Sequence, residues 1–110
     1  MERRGGERYR VWFPVTVTTE GGEEGTAITY DVSTEGLLLA CPGALPVGAR
    51  VTLRFEIAED PAGPREVRAS VVRVEDNPVA ADGPWRYRLA LAFESSQPEL
   101  EQLLEAQGDD

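Results

Sequence analysis

Hydrophobic and polar side chains alternate along most of this chain with a period of two, the spacing of a strand whose successive side chains face opposite sides of a sheet. From Arg10 onward, Val11, Phe13, Val15 and Val17 fall on one face and Trp12, Pro14, Thr16 and Thr18 on the other. Pro14 suits an edge strand, because it has no N–H to give to a neighbour. The turn-rich stretch Glu20-Gly-Gly-Glu-Glu-Gly25 leads into a second strand in which Ile28, Tyr30 and Val32 alternate with Ala27, Thr29 and Asp31, which predicts a hairpin. Leu37-Leu-Leu-Ala-Cys41 is a short apolar run, the pattern of a strand buried on both sides. Pro42 to Gly48 turns the chain into Val51, Leu53, Phe55 and Ile57, and Ala58 to Pro64 is a loop. Val67 to Val74 and Trp85 to Phe93 complete six strands, with a polar loop from Glu75 to Pro84 between them.

The period changes near the end. Ser96-Gln-Pro-Glu99 has capping-box spacing, and Leu100, Leu103 and Leu104 lie at i, i+3 and i+4, which predicts a short amphipathic helix. Six short antiparallel strands joined by turns predict an all-β fold, a small barrel with the helix over one of its open ends. The expected layout is a flexible arginine-rich arm over 1–9, a barrel over 10–95 and a capping helix over 96–107. All of it is one domain, since 110 residues suffice for one core and no second.

Composition narrows the chemistry. The longest apolar run, Leu37 to Cys41, is too short to span a bilayer, so no membrane partner is expected. The first residues are charged and no apolar stretch follows, which reads as no secretory signal and a cytoplasmic location. Cys41 is the only cysteine and histidine is absent, so neither a disulfide, a metal site nor Cys–His catalysis is expected. No nucleophile has a base beside it in sequence and no glycine-rich phosphate loop is present, so the chain does not read as an enzyme.

A net charge of −9 argues against a general nucleic-acid binder, even though Trp12, Trp85 and Tyr87 could stack on bases. The cations are distributed unevenly. All eleven are arginine, and Arg3, Arg4, Arg8 and Arg10 fall in the first ten positions. The absence of lysine can follow from genomic base composition, but the clustering cannot. An arginine fork pairs with phosphate or a guanine edge and stacks on a base. The other feature is Asp31-x-Ser33-x-x-Gly36, between the second and third strands. Asp31 can accept from the N1–H and N2–H of a guanine, Ser33 offers a hydroxyl, and Gly36 is expected to permit a positive φ and close ligand approach. Taken singly, the second motif is an ordinary Asx-type turn and the first a solvated terminus.

Together, Arg4-x-x-x-Arg8, twenty-two intervening residues and Asp31-x-Ser33-x-x-Gly36 resemble the signature of the PilZ family of bacterial cyclic di-GMP receptors. The resemblance extends to Arg8-Tyr-Arg-Val-Trp-Phe-Pro-Val15, Leu45-Pro-Val-Gly48, Val71-Val-Arg73 and Tyr87-Arg-Leu-Ala-Leu-Ala-Phe93; Ala90 departs from the glycine usual there. It implies a six-stranded antiparallel Greek-key barrel with a short C-terminal α-helix. It also implies that Arg4 and Arg8 grip phosphate and guanine while Asp31, Ser33 and Gly36 hold a guanine from the other side. By the same resemblance, Arg3 points to an intercalated ligand dimer; Arg10 reads equally as a ligand contact or a surface residue. The implied function is a cyclic di-GMP receptor or adaptor, with no cofactor besides that ligand. Its arm would order on binding and signal to an unidentified effector protein in motility or biofilm control. The alternative is a PilZ-like interaction module without nucleotide binding, docking to a motility or secretion component.

Overall fold

A computed structural model describes residues 7–78 and 83–107. Six strands, β1 (Pro14–Thr19), β2 (Glu24–Val32), β3 (Gly36–Cys41), β4 (Arg50–Phe55), β5 (Arg65–Asp76) and β6 (Tyr87–Phe93), precede one helix, α1 (Leu100–Gln107). Every pairing is antiparallel, and the strands close into a barrel in the order β1-β2-β3-β6-β5-β4. Two meanders, β1-β2-β3 and β4-β5-β6, are joined by the β3–β4 connection, which carries the chain across the barrel to pair β4 with β1. This is the expected Greek-key barrel.

Alternation fills the interior. Val15, Leu37, Leu39, Leu53, Ala69, Val71, Leu89 and Leu91 all point inward and are almost wholly buried, and burial of such side chains stabilises by roughly 1.5–3 kcal/mol each. β1 starts later than the sequence pattern indicates. Val11 and Phe13 are buried as expected, but of the ladder only the Thr29 N–H donating to the Phe13 carbonyl at 3.1 Å reaches there, and a side chain supplies the rest. The Thr29 hydroxyl accepts from the Phe13 N–H at 3.0 Å and donates to the Val11 carbonyl at 2.5 Å.

Two bulges break the alternation. In β2 the register slips between Thr29 and Asp31, so Tyr30 is an extra residue. Ala27 and Thr29 face inward, yet so does Val32. The expected common face of Ile28, Tyr30 and Val32 is therefore corrected: Ile28 and Tyr30 lie outside, and Val32 returns to the core because a bulge shifts the phase by one. In β5 the slip lies between Val71 and Arg73, with Val72 the extra residue.

α1 begins at Leu100, four residues after its predicted start. The capping box does not form, because the Ser96 hydroxyl donates to the Glu35 carboxylate at 2.9 Å, and a turn closed by Leu100 N–H on the Gln97 carbonyl at 3.0 Å leads in instead. The apolar stripe behaves as expected. Leu100 and Leu104 are fully buried in the cluster that includes Val11, Phe13 and Ile57, and the Gln107 amide donates to the Ala58 carbonyl at 3.1 Å. No helix among the described residues is long and apolar enough to cross a membrane.

Candidate functional site

The β2 bulge decides where Asp31 points. Continued alternation from Ala27 and Thr29 would turn Asp31 into the core; the extra residue turns it outward, onto the face formed by β2, β3, β6 and β5. A groove of about 530 Å³ opens there, with Arg8, Asp31 and Glu35 on one side, Val72 and Arg73 on the other, and Gly36, Leu38, Ala90 and Ala92 between them.

Arg8 and Asp31, 23 residues apart in sequence, meet at this groove. The guanidinium reaches Asp31 Oδ1 with Nε at 2.7 Å and Nη2 at 2.6 Å. Both nitrogens converge on one oxygen, leaving Oδ2 without a hydrogen bond among the described residues. The side chains are 47% and 24% exposed, so each charge can be reached from solvent. Arg3 and Arg4 lie outside the described residues.

Ser33 and Gly36 build the turn that follows. Ser33 is 1% exposed, and its hydroxyl accepts from the N–H of Glu35 at 3.0 Å and of Gly36 at 3.2 Å while donating to the Gly36 carbonyl at 3.3 Å. Its backbone N–H donates to the same carbonyl at 2.8 Å. In this state the hydroxyl fixes the turn beside Asp31 rather than facing the groove. Gly36 is in its place for a reason other than the expected one. Its φ is not positive; a Cβ there would instead run into the Leu91 carbonyl oxygen and meet Ala92 Cα at 3.2 Å, because β6 passes close by.

The segment predicted as a free arm is fastened at its end. Tyr9 exchanges backbone hydrogen bonds with Val32 at 2.8 and 3.0 Å, and its phenol donates to Glu101 of α1 at 2.7 Å. That hydrogen bond, with some desolvation, pushes the phenol's pKa well above its ordinary value. Arg10 is exposed and lines no wall of the groove. Next to Asp31, the Tyr30 ring lies under the Arg88 guanidinium, 4.5 Å from its centroid.

Val72 and Arg73 belong to the groove, although the sequence reading quoted them only within the resembling segment Val71-Val-Arg73 and gave neither a part in the site. Their signal was present: after Val67, Ala69 and Val71, strict alternation assigns Arg73 to the barrel interior, where a charge has no place, and only a bulge resolves the conflict. No cluster of three or more potential metal ligands occurs among the described residues.

Closed antiparallel barrel, helix lid and charged outer groove together define a class of small domain, and comparison with known proteins specifies it. The PilZ domain family matches residues 2–107, and the chain belongs to that family. A comparison with curated proteins finds no match. Among solved structures, the Bacillus subtilis inhibitor of motility MotI/DgrA is 20% identical with a TM-score of 0.71, over 96% of this chain and 50% of that one. Apo MrkH of K. pneumonia is 19% identical with a TM-score of 0.74, over 97% and 52%. The Escherichia coli YcgR PilZ domain, solved with c-di-GMP, is 19% identical with a TM-score of 0.64, over 94% and 87%. This chain thus spans about half the length of MotI and MrkH and most of the isolated YcgR domain.

Proposed function

We propose that this PilZ domain is a cyclic di-GMP receptor that passes ligand occupancy to a partner protein. One observation carries the reading: Arg8 and Asp31, one from each half of the family motif, meet at a single outer groove, with no hydrogen bond to Asp31 Oδ2 among the described residues. In this reading Arg8 transfers to ligand phosphate or to the O6 and N7 of guanine, and Asp31 accepts from guanine N1–H and N2–H. Arg4 would join Arg8, and Ser33 and Gly36 would hold Asp31 in position. Arg3 would favour an intercalated ligand dimer. YcgR, whose PilZ domain was solved with c-di-GMP, supports the ligand class by family membership. A cytoplasmic, non-enzymatic signalling role goes with it.

A second reading, a docking module without nucleotide, is favoured by the same ion pair, since the two charges already satisfy each other. Calorimetric titration separates the two. Binding of cyclic di-GMP in preference to cyclic di-AMP, weakened about ten- to a hundred-fold by Arg8→Ala or Asp31→Ala, is expected of the receptor. A stoichiometry of two ligands per chain is expected of the intercalated dimer. No heat at high micromolar cyclic di-GMP would leave the docking module.

A further inference from the structure

Arg73 is held where a regular strand would not put it. Val67, Ala69 and Val71 point into the barrel, so uninterrupted alternation would send residue 73 inward too. The β5 bulge inserts Val72, returns Val74 to the core side and turns Arg73 outward with its side chain 60% exposed. An apolar residue in an unbulged strand would serve the core at least as well. Bulges beside binding sites commonly re-aim a side chain in this way.

The two bulges act on the same row of the sheet. Asp31 stands in register with Leu38, Leu38 with Ala90, and Ala90 with Arg73. Asp31 and Arg73 therefore end one cross-strand row, three inter-strand steps or about 14 Å apart at the backbone. Leu38 and Ala90 form a low apolar floor between them. Asp31 and Arg73 both line the groove over that floor, with Val72 beside Arg73. Among the described residues, Arg73 has only a 3.9 Å approach to Glu75, and both side chains are exposed. Such a pair holds the guanidinium weakly and leaves its fork available.

We propose that Arg73 is a further ligand-contacting residue, its guanidinium pairing with the O6/N7 edge of the guanine whose N1–H/N2–H edge faces Asp31. This rests on reading the groove as a cyclic di-GMP site. Guanine alone among the purines of the genetic alphabet offers two acceptors on that edge; adenine replaces one of them with an amino donor. Asp31 and Arg73 thus read two different edges of one base, and each rejects adenine independently.

The test pairs a protein variant with a ligand variant. Cyclic di-GMP and its 7-deaza analogue, which has C–H in place of N7, are titrated into the unmutated protein, Arg73→Ala and Arg73→Lys. Arg73→Ala is expected to bind cyclic di-GMP about ten- to a hundred-fold more weakly with an unchanged melting temperature. Arg73→Lys should stay weak because it lacks the fork. The 7-deaza analogue should bind the unmutated protein more weakly than cyclic di-GMP does, and that difference should vanish in Arg73→Ala. An Arg73→Ala protein that binds as tightly as the unmutated one, or a 7-deaza penalty that survives the substitution, overturns the role of Arg73 alone. Absence of cyclic di-GMP binding by the unmutated protein overturns the groove reading and this assignment with it.

Discussion

Arg8 and Asp31 neutralise each other at the mouth of the groove, with Nε and Nη2 of the arginine both set on Oδ1. The pair is solvent-facing, which limits its worth to about 1 kcal/mol or less. A charge-assisted contact to a bound ligand is worth roughly 1.5–3 kcal/mol. On the receptor reading, a ligand presenting phosphate and guanine N–H groups would outcompete the internal pair. Arg8→Ala is expected to weaken cyclic di-GMP binding about ten- to a hundred-fold while lowering unfolding free energy by under about 1 kcal/mol. Calorimetry and urea denaturation measure the two quantities; a large stability loss with unchanged affinity would make Arg8 a structural residue.

Gly36→Ala forces a methyl group against the Leu91 carbonyl oxygen and Ala92 Cα. β3 and β6 must then separate under the groove floor. The expected loss is about 1–3 kcal/mol, as for other overpacked sites, and it appears as a lower urea midpoint at constant slope. An unshifted midpoint would mean that the two strands have room to spare.

Asp60 gives the barrel an acid-sensitive fastening. Its fully buried carboxylate receives Arg65 Nε at 2.5 Å and Nη2 at 3.1 Å, and these bonds hold its pKa below the usual carboxylate range. A depressed folded-state pKa stabilises in full above the unfolded value near pH 4, and that contribution fades as the pH falls through the folded value. Asp60→Asn is expected to cost about 3 kcal/mol at pH 7, near the low end for a broken buried pair, because Arg65 keeps Glu99 at 3.5 Å. Thermal melts from pH 7 to pH 2 should show a smaller acid loss in the variant; equal slopes would remove Asp60 from the account.

Cys41 is buried in the core, which pushes its thiol up to about 12. The thiolate is the reactive form. Labelling by a disulfide reagent at pH 8 is expected to be orders of magnitude slower in the native protein than in urea, and to follow the unfolding curve. Fast native labelling would show that the barrel opens at β3.

Much of the barrel was legible because alternation assigns Val15, Leu53 and Leu89 inward without help from elsewhere in the chain. The two phase slips were not, since an extra residue at Tyr30 or Val72 leaves no mark in composition; the implausible burial of Arg73 pointed to the second, while the apolar face Ile28, Tyr30 and Val32 concealed the first. Long-range partners account for the other differences. Ser96 abandons its cap for Glu35, 61 residues away. Gly36 answers to the approach of β6 rather than to its own backbone angles. At the site, Arg8 and Asp31 of the motif meet in an ion pair, while the inward turn of the Ser33 hydroxyl depends on three local hydrogen bonds that residue types alone do not specify.

Tyr9 gives these charges a mechanical connection. It follows Arg8 directly, is stitched to Val32 by its backbone and touches Glu101 through a hydrogen bond spanning 92 residues of sequence. By reciprocity, a ligand that displaces Arg8 and a protein that grips α1 must each change the other's affinity by the same factor, to the extent that both disturb Tyr9. Hydrogen exchange at the α1 amides with and without cyclic di-GMP reads that factor, and Tyr9→Phe is expected to shrink it. The entry to the barrel and α1 are thereby joined at one phenol, so on the cyclic di-GMP reading occupancy of the groove would be transmitted to α1 through Tyr9.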